Sequence, residues 1–212
     1  YSRPRDPVHD KRAFLDKRPQ VVWRGINSGQ RWFTPHEMRP LRPKGDIVTL
    51  RPEQAASPRQ RAVLMSRDDP ERLNCLFSLT PKETRSRDPG APFLPLQDRN
   101  RNHEWLLQFR YVLCPPGNDV SSQLYWIISS NSVAFRVETE YEVLPDYWLE
   151  PWVHYVPVAQ DLSDLLDKVD YLEANPAVAL AIVERAQAAH AKILDAPLWL
   201  EAEQKVLDKM GL

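Results

Sequence analysis

A chain of 212 residues, 42% hydrophobic and 27% charged, carries enough apolar material for a sizeable core, which excludes a disordered chain, and no window approaches the roughly 18 consecutive apolar residues of a membrane-spanning helix. The formal net charge of −1 hides an asymmetry: residues 1–110 hold 22 Lys and Arg against 13 Asp and Glu, and residues 111–212 hold 6 against 16. A basic front half suits phosphate-bearing partners (a nucleotide, a phosphorylated acceptor or nucleic acid) or is simply a solvated basic face.

The opening "YSRPRDPVHDKR" starts at Tyr1, is polar, and lacks the apolar stretch of a secretory signal. Residues 1–18 are therefore expected to be a linker from, or remnant of, something upstream, with one domain over 19–212. "PQVVWRG" (19–25) predicts a buried strand that Gly25 cuts off and whose end delivers Arg24 into the loop "INSGQRW". From Phe33 to Pro58 prolines and charges recur without a period. "SPRQRAVLMSRD" (57–68) predicts a helix, with Ser57 as cap, Pro58 in the first turn, and Ala62, Val63 and Met65 on an apolar face. "LNCLFSLT" (73–80) predicts a second strand, and 81–98, with four prolines and a glycine, a long loop.

"HEWLLQF" reads as a short amphipathic helix and "RYVLCP" as the next strand. "GNDVSS" (117–122) then ends that strand and opens a buried helix carrying Val120, Leu124, Trp126, Ile127 and Ile128 up to "SSN". "SVAFRV" (132–137) and "VHYVPV" (153–158) predict strands on either side of the acidic, aromatic stretch 138–152. Asp161 or Ser163 caps a helix through Leu162, Leu165, Leu166, Val169 and Leu172. Helices over 176–194 and from about Trp199 follow. Alternating strands and helices point to an α/β domain with a mainly parallel sheet covered by C-terminal helices. Cys75 and Cys114 sit in apolar segments without metal or redox spacing and read as buried free thiols.

Ligands of such a sheet bind beyond the carboxyl ends of the strands. Three places there are chemically rich: Arg24–Gly29, Gly117–Gln123 and Glu138–Glu142. At the second, Gly117 permits close backbone approach, the first-turn N–H groups favour an anion, and Ser121 and Ser122 add hydroxyl donors. The competing reading makes Asn118 or Asp119 an ordinary helix cap.

The wider strings say more. "GNDVSS" before an aromatic helix, "SNSV", "EPWVHYVPV" with "DLSDL" beyond it, and "WRG" far upstream stand in one order over residues 19–195. Together they resemble glycosyltransferase family 90, which includes bacterial lipopolysaccharide core transferases, fungal capsule-associated (CAP10-like) xylosyltransferases and animal Rumi-type protein O-glucosyltransferases. The resemblance implies a Rossmann-like parallel sheet with C-terminal helices, the donor-binding half of a GT-B glycosyltransferase. It implies transfer of a hexose or pentose from a UDP-sugar co-substrate to a hydroxyl of a glycan, lipopolysaccharide or protein, with inversion and without a cofactor or bound metal. By position, Arg24, Gly25, Asn27 and Ser28 match the donor loop, and Gly117, Asn118, Asp119, Val120, Ser121, Ser122 and Gln123 match the loop that meets diphosphate and uridine.

Two departures bear on this. Rumi-type members place an arginine where this chain has Gln123, so Arg24, Arg59, Arg61 or Arg110 has to supply the charge. The family's aspartate general base lies upstream, and none of Asp6, Asp10 or Asp16 sits in its motif. The alternative is thus a catalytically silent module that binds nucleotide-sugar or glycan. The resemblance places bacterial members at the cytoplasmic face of the inner membrane, compatible with peripheral membrane association, and eukaryotic ones in the ER and Golgi lumen. A nucleic-acid partner is not expected.

Other residues keep two readings each. Glu142, with Glu140, either accepts hydrogen bonds from ribose or sugar hydroxyls or belongs to an acidic surface loop. His154 is a core histidine of its strand or a catalytic one, and His103 a capping residue or a site residue. Tyr125 and Trp126 either stack on uracil or pack under the sheet. No Walker glycine loop or metal-ligand spacing occurs.

Overall fold

Among the described residues, short β-branched and aromatic runs bounded by polar turns form six parallel strands: β1 (Arg18–Gly25), β2 (Leu73–Ser78), β3 (Gln97–Asp98), β4 (Phe109–Cys114), β5 (Val133–Val137) and β6 (Val156–Val158). The structure is a computed structural model and describes residues 7–27, 50–55, 57–78, 96–98 and 101–210. The strand order is β3-β2-β1-β4-β5-β6. This is the doubly wound, Rossmann-like order, in which the chain builds outward from β1 and then returns to its other side at β4.

Period-two alternation sorts the core into two layers. Val21, Trp23, Cys75, Phe77, Tyr111, Leu113, Val133 and Phe135 face α1 (Pro58–Asp68) and the later helix over Leu165–Ala174. Val22, Val112, Cys114 and Ala134 face the other side, against α2 (His103–Leu106) and α3 (Leu124–Ile127). Numbered in order, the remaining helices are α4 (Leu165–Ala174), α5 (Pro176–Ile193) and α6 (Ala196–Met210). α5 serves both layers: Ala179, Ile182 and Val183 join the first, Ala186, Ala189 and Ile193 the second. No helix of the described residues is long and apolar enough to cross a membrane.

α1 begins as expected, with Ser57 Oγ accepting from the Gln60 N–H and Pro58 in the first turn. Cys75 and Cys114 are free and buried. Much of the loop predicted over 81–98, the irregular stretch over 33–49, and Ser28 and Gly29 lie outside the described residues. The end of that loop is a strand instead: Gln97 and Asp98 pair with Phe77 and Ser78. Two residues are too few to show a period.

Three further expectations are corrected. The helix after "GNDVSS" is a single turn, Leu124–Ile127. Asn, Asp and Ser before it compete for the backbone with their own side chains, and Ser129 and Ser130 end it by donating their hydroxyls to the carbonyls of Trp126 and Ile127. β6 starts only at Val156; His154 lies in a tight turn closed by Trp152 N–H to Tyr155 O at 2.7 Å, not on a strand. His154 is half-buried, and its Nδ1 accepts from the Glu150 N–H at 2.8 Å. Nor does Asp161 or Ser163 cap α4: Asp161 accepts from the Ser163 N–H and hydroxyl within a local turn, and the helix opens after Asp164, whose carboxylate takes the Ala159 N–H.

The segment before β1 is tied to the amino edge of the sheet. Lys17 is fully buried and its ammonium pairs with Asp10 at 2.5 Å and donates to Ser132 Oγ at 2.7 Å. Asp10 also accepts the Asn131 N–H. This puts Asp10 at the end of the sheet away from the ligand edge.

Candidate functional site at the β1–β4 switch point

The ladder itself opens a crevice. β1 stays paired with β2 as far as Gly25↔Phe77, but its pairing with β4 ends at Val22↔Val112, while β4 continues alongside β5 to Cys114↔Arg136. Beyond Val22 the two central strands diverge, at the point where strand order reverses and where open α/β sheets bind ligands. One side chain spans the gap: Gln123 Nε2 donates to the Arg24 carbonyl oxygen at 3.0 Å. That leaves Gln123 Oε1 buried and, among the described residues, without a hydrogen-bond partner.

The Gly117 turn forms the β4 side. Gly117 is buried, Asn118 and Asp119 are exposed, and Val120, Ser121 and Gln123 are half-buried. A side chain at Gly117 would meet Arg59 Nη2 at 3.0 Å. The turn is irregular through Ser121, and among the described residues no acceptor takes the backbone N–H of Asn118 through Gln123. Neither Asn118 nor Asp119 is therefore a helix cap. The residue at the cap position of α3 is Gln123, already helical and making no capping bond. What the turn presents is a set of unclaimed backbone donors, a concavity suited to anions without a long helix behind it. Ser121 turns its hydroxyl inward to the Cys114 thiol, which burial pushes up to about 12.

The arginines sort clearly. Arg24 does not enter a loop; it is 5% exposed, and all five of its donors are engaged. Nε and Nη2 bond Asp98 at 3.1 and 2.9 Å, Nη1 bonds the carbonyls of Trp23 and Asn74 at 2.8 and 2.6 Å, and Nη2 bonds Asn74 Oδ1 at 2.7 Å. Burial lowers its pKa against the opposing pull of Asp98. Arg24 thus fastens β1 to β2 and β3. Arg59, in the first turn of α1, lies over the Trp23 ring, donates to the Ile26 carbonyl at 3.1 Å and backs Gly117. Arg110 pairs with Glu173 and the Leu15 carbonyl at the amino edge, away from the crevice. Arg61 lies near Asp161.

Arg101 is the functional candidate that sequence reasoning missed. Asp98 grips it twice, Nε to Oδ2 at 2.8 Å and Nη2 to Oδ1 at 3.0 Å, and its guanidinium lies 4.6 Å from the Trp105 ring centre. A cleft of about 590 Å³ opens here, with Arg24, Arg101, His103, Glu104, Ser122 and Gln123 among its lining. Desolvation would raise the Asp98 pKa, but hydrogen bonds from Arg101 and Arg24 outweigh it and hold the carboxyl below the usual range.

Of the remaining candidates, Glu142 is exposed on the loop leaving β5, at the same edge of the sheet. Asn27 Oδ1 accepts from Gln60 Nε2 at 3.2 Å, and Gly25 has no room for a Cβ, which would lie 2.6 Å from the Trp23 ring. Trp126 is buried and stacks on His103, ring centres 3.9 Å apart, while Tyr125 donates to Asp146.

The model of the family described as Glycosyl transferase family 90 matches residues 53–196, from just before α1 through α5, and so includes the Gly117 turn and the Asp98–Arg101 wall. The chain belongs to glycosyl transferase family 90. Within the family it is similar to O-glucosyltransferase LpsA of Dichelobacter nodosus, 39% identical over 82 residues that make up 38% of this chain and 26% of that protein. Protein O-glucosyltransferase 1 of Homo sapiens is 27% identical over 150 residues, 69% of this chain and 36% of that protein. Uncharacterized protein 035R of Invertebrate iridescent virus 3 is 27% identical over 201 residues, 94% of this chain and 17% of that protein. This family 90 chain therefore spans little more than a third of such relatives at most. β1, with Arg24 and Gly25, precedes the stretch matched by the family model.

Proposed function

We propose that this family 90 chain is the donor-binding half of a GT-B glycosyltransferase that takes a hexose or pentose from a UDP-sugar and passes it, with inversion and without a metal, to a hydroxyl of a glycan, lipopolysaccharide or protein. The observation that carries this reading is the divergence of β1 and β4 beyond Val22↔Val112, with the unclaimed N–H groups of the Gly117 turn on one side and Arg59 behind Gly117. Backbone donors and a guanidinium are what a diphosphate requires, and they stabilise it further as UDP departs with developing charge. Glu142 stands on the loop after β5, where a carboxylate can accept from ribose hydroxyls.

Thermal unfolding in the presence of UDP, UDP-glucose, UDP-xylose and GDP-mannose tests the reading. A ligand at 100 times its dissociation constant adds about 2.7 kcal/mol, a plain upward shift. Stabilisation by the uridine nucleotides and not by GDP-mannose is the expected result; no shift with any uridine nucleotide overturns it. A second reading, nucleotide-sugar binding without transfer, is favoured by the neutral Gln123 and by the full engagement of Arg24. Sugar transfer catalysed by this chain excludes it.

A further inference from the structure

Family resemblance leaves a charge unaccounted for at Gln123, and among the described residues the fold shows which arginine lines the cleft beside it. Arg24 has no donor left, Arg110 is at the far edge, and Arg59 lies behind the turn rather than in the cleft. Arg101 lines the same cleft as Ser122 and Gln123, and it differs from Arg24 in its bonding. Asp98 takes Nε and one Nη2 hydrogen; among the described residues, nothing takes Nη1. The carboxylate on one side and the Trp105 ring beneath fix the guanidinium plane before any ligand arrives. A guanidinium held this way loses little freedom on binding and offers a fork of N–H groups matched to two phosphate oxygens.

We infer that Arg101, clamped by Asp98 and Trp105, joins Arg59 as a phosphate-binding cation and substitutes for the positive charge that position 123 lacks. Its ligand class is a diphosphate ester, and the identification of that ester as a uridine nucleotide rests on the function proposed above. Arg101 stands at the approach to α2 against Trp105, which packs on one layer of the core, whereas Arg59 lies over Trp23 in the other layer.

Isothermal titration of UDP, uridine and inorganic pyrophosphate into the wild-type chain, Arg101→Gln, Arg101→Lys and the double variant Arg101→Gln/Gln123→Arg tests this. Arg101→Gln is expected to weaken UDP at least tenfold and leave uridine unchanged, which also shows that the variant is folded. Arg101→Lys keeps the charge without the fork and falls between the two. The double variant regains most of the lost UDP affinity. UDP bound equally by wild type and both single variants overturns the inference, as does a wild-type chain that binds neither UDP nor pyrophosphate. Pyrophosphate binding that depends on Arg101, without any affinity for uridine, leaves Arg101 standing and removes the uridine reading instead.

Discussion

The amide of Gln123 donates to the carbonyl of Arg24 across 99 positions of sequence and 3.0 Å of space, joining β4's exit turn to the end of β1. The bond is one-sided, because Oε1 is buried with no donor. Gln123→Leu removes a bond that contributes about 1 kcal/mol but also removes the orphaned oxygen, so its net cost stays under about 1 kcal/mol. Gln123→Glu turns a carboxylate oxygen towards the Arg24 carbonyl and destabilises more than Leu does. Urea unfolding of the three proteins gives the order directly, and Glu matching or exceeding wild type contradicts the assigned amide orientation.

Two glycines at the crevice respond differently to the same change. A Cβ at Gly25 falls 2.6 Å from the ring of Trp23, which is 1% exposed and cannot withdraw. Gly25→Ala therefore costs about 1–3 kcal/mol through overpacking. At Gly117 the nearest atom is the end of the Arg59 side chain at 3.0 Å, which yields by a few tenths of an ångström. Gly117→Ala is expected to leave stability nearly unchanged and to weaken UDP binding by displacing Arg59. Melting curves with and without UDP separate the two effects.

The Lys17–Asp10 pair is a structural device. Asp10→Ala strands a buried ammonium and is expected to cost about 3–5 kcal/mol, whereas replacing both partners with apolar residues recovers much of the loss. Burial already lowers the Lys17 pKa, with Asp10 opposing that shift. A double variant as unstable as the sum of the single ones refutes the coupling. Denaturant titration of the four proteins completes the cycle.

Asp98 makes the cleft wall acid-sensitive. Its folded pKa is depressed by Arg101 and Arg24 despite its burial, so the unfolded chain takes up the proton first as pH falls. Its contribution to stability is complete above the unfolded value of about 4 and disappears as pH drops through the lower folded value. Asp98→Asn is expected to lose stability at pH 7 and to approach wild type once pH has dropped through the depressed folded value. A difference that persists undiminished in acid rules out this carboxylate as its source. Arg24→Ala should likewise act on folding before it acts on ligand, since it unfastens three strands.

Five of the six described strands, the α/β class and the family are legible in the sequence, because alternation, capping and turn chemistry are written over a few neighbouring positions. Val21 to Trp23, "YVLC" and "VAF" carry their own burial pattern; Ser57 and Pro58 mark the start of α1; and the ordered strings from "WRG" to "DLSDL" carry the resemblance. Tertiary structure alone decided what each polar group does. Asp98 lies 74 positions from Arg24 and in a strand of two residues, so nothing local announces that it fills one arginine's donors and steadies another. The short helix after Ser122 and the turn holding His154 were likewise settled by hydroxyl back-bonds and a backbone closure that compete with propensity on nearly equal terms. Hydrophobic period is a local property and survives in one dimension. Hydrogen-bond partnership depends on which strands become neighbours, and that exists only once the sheet has been assembled.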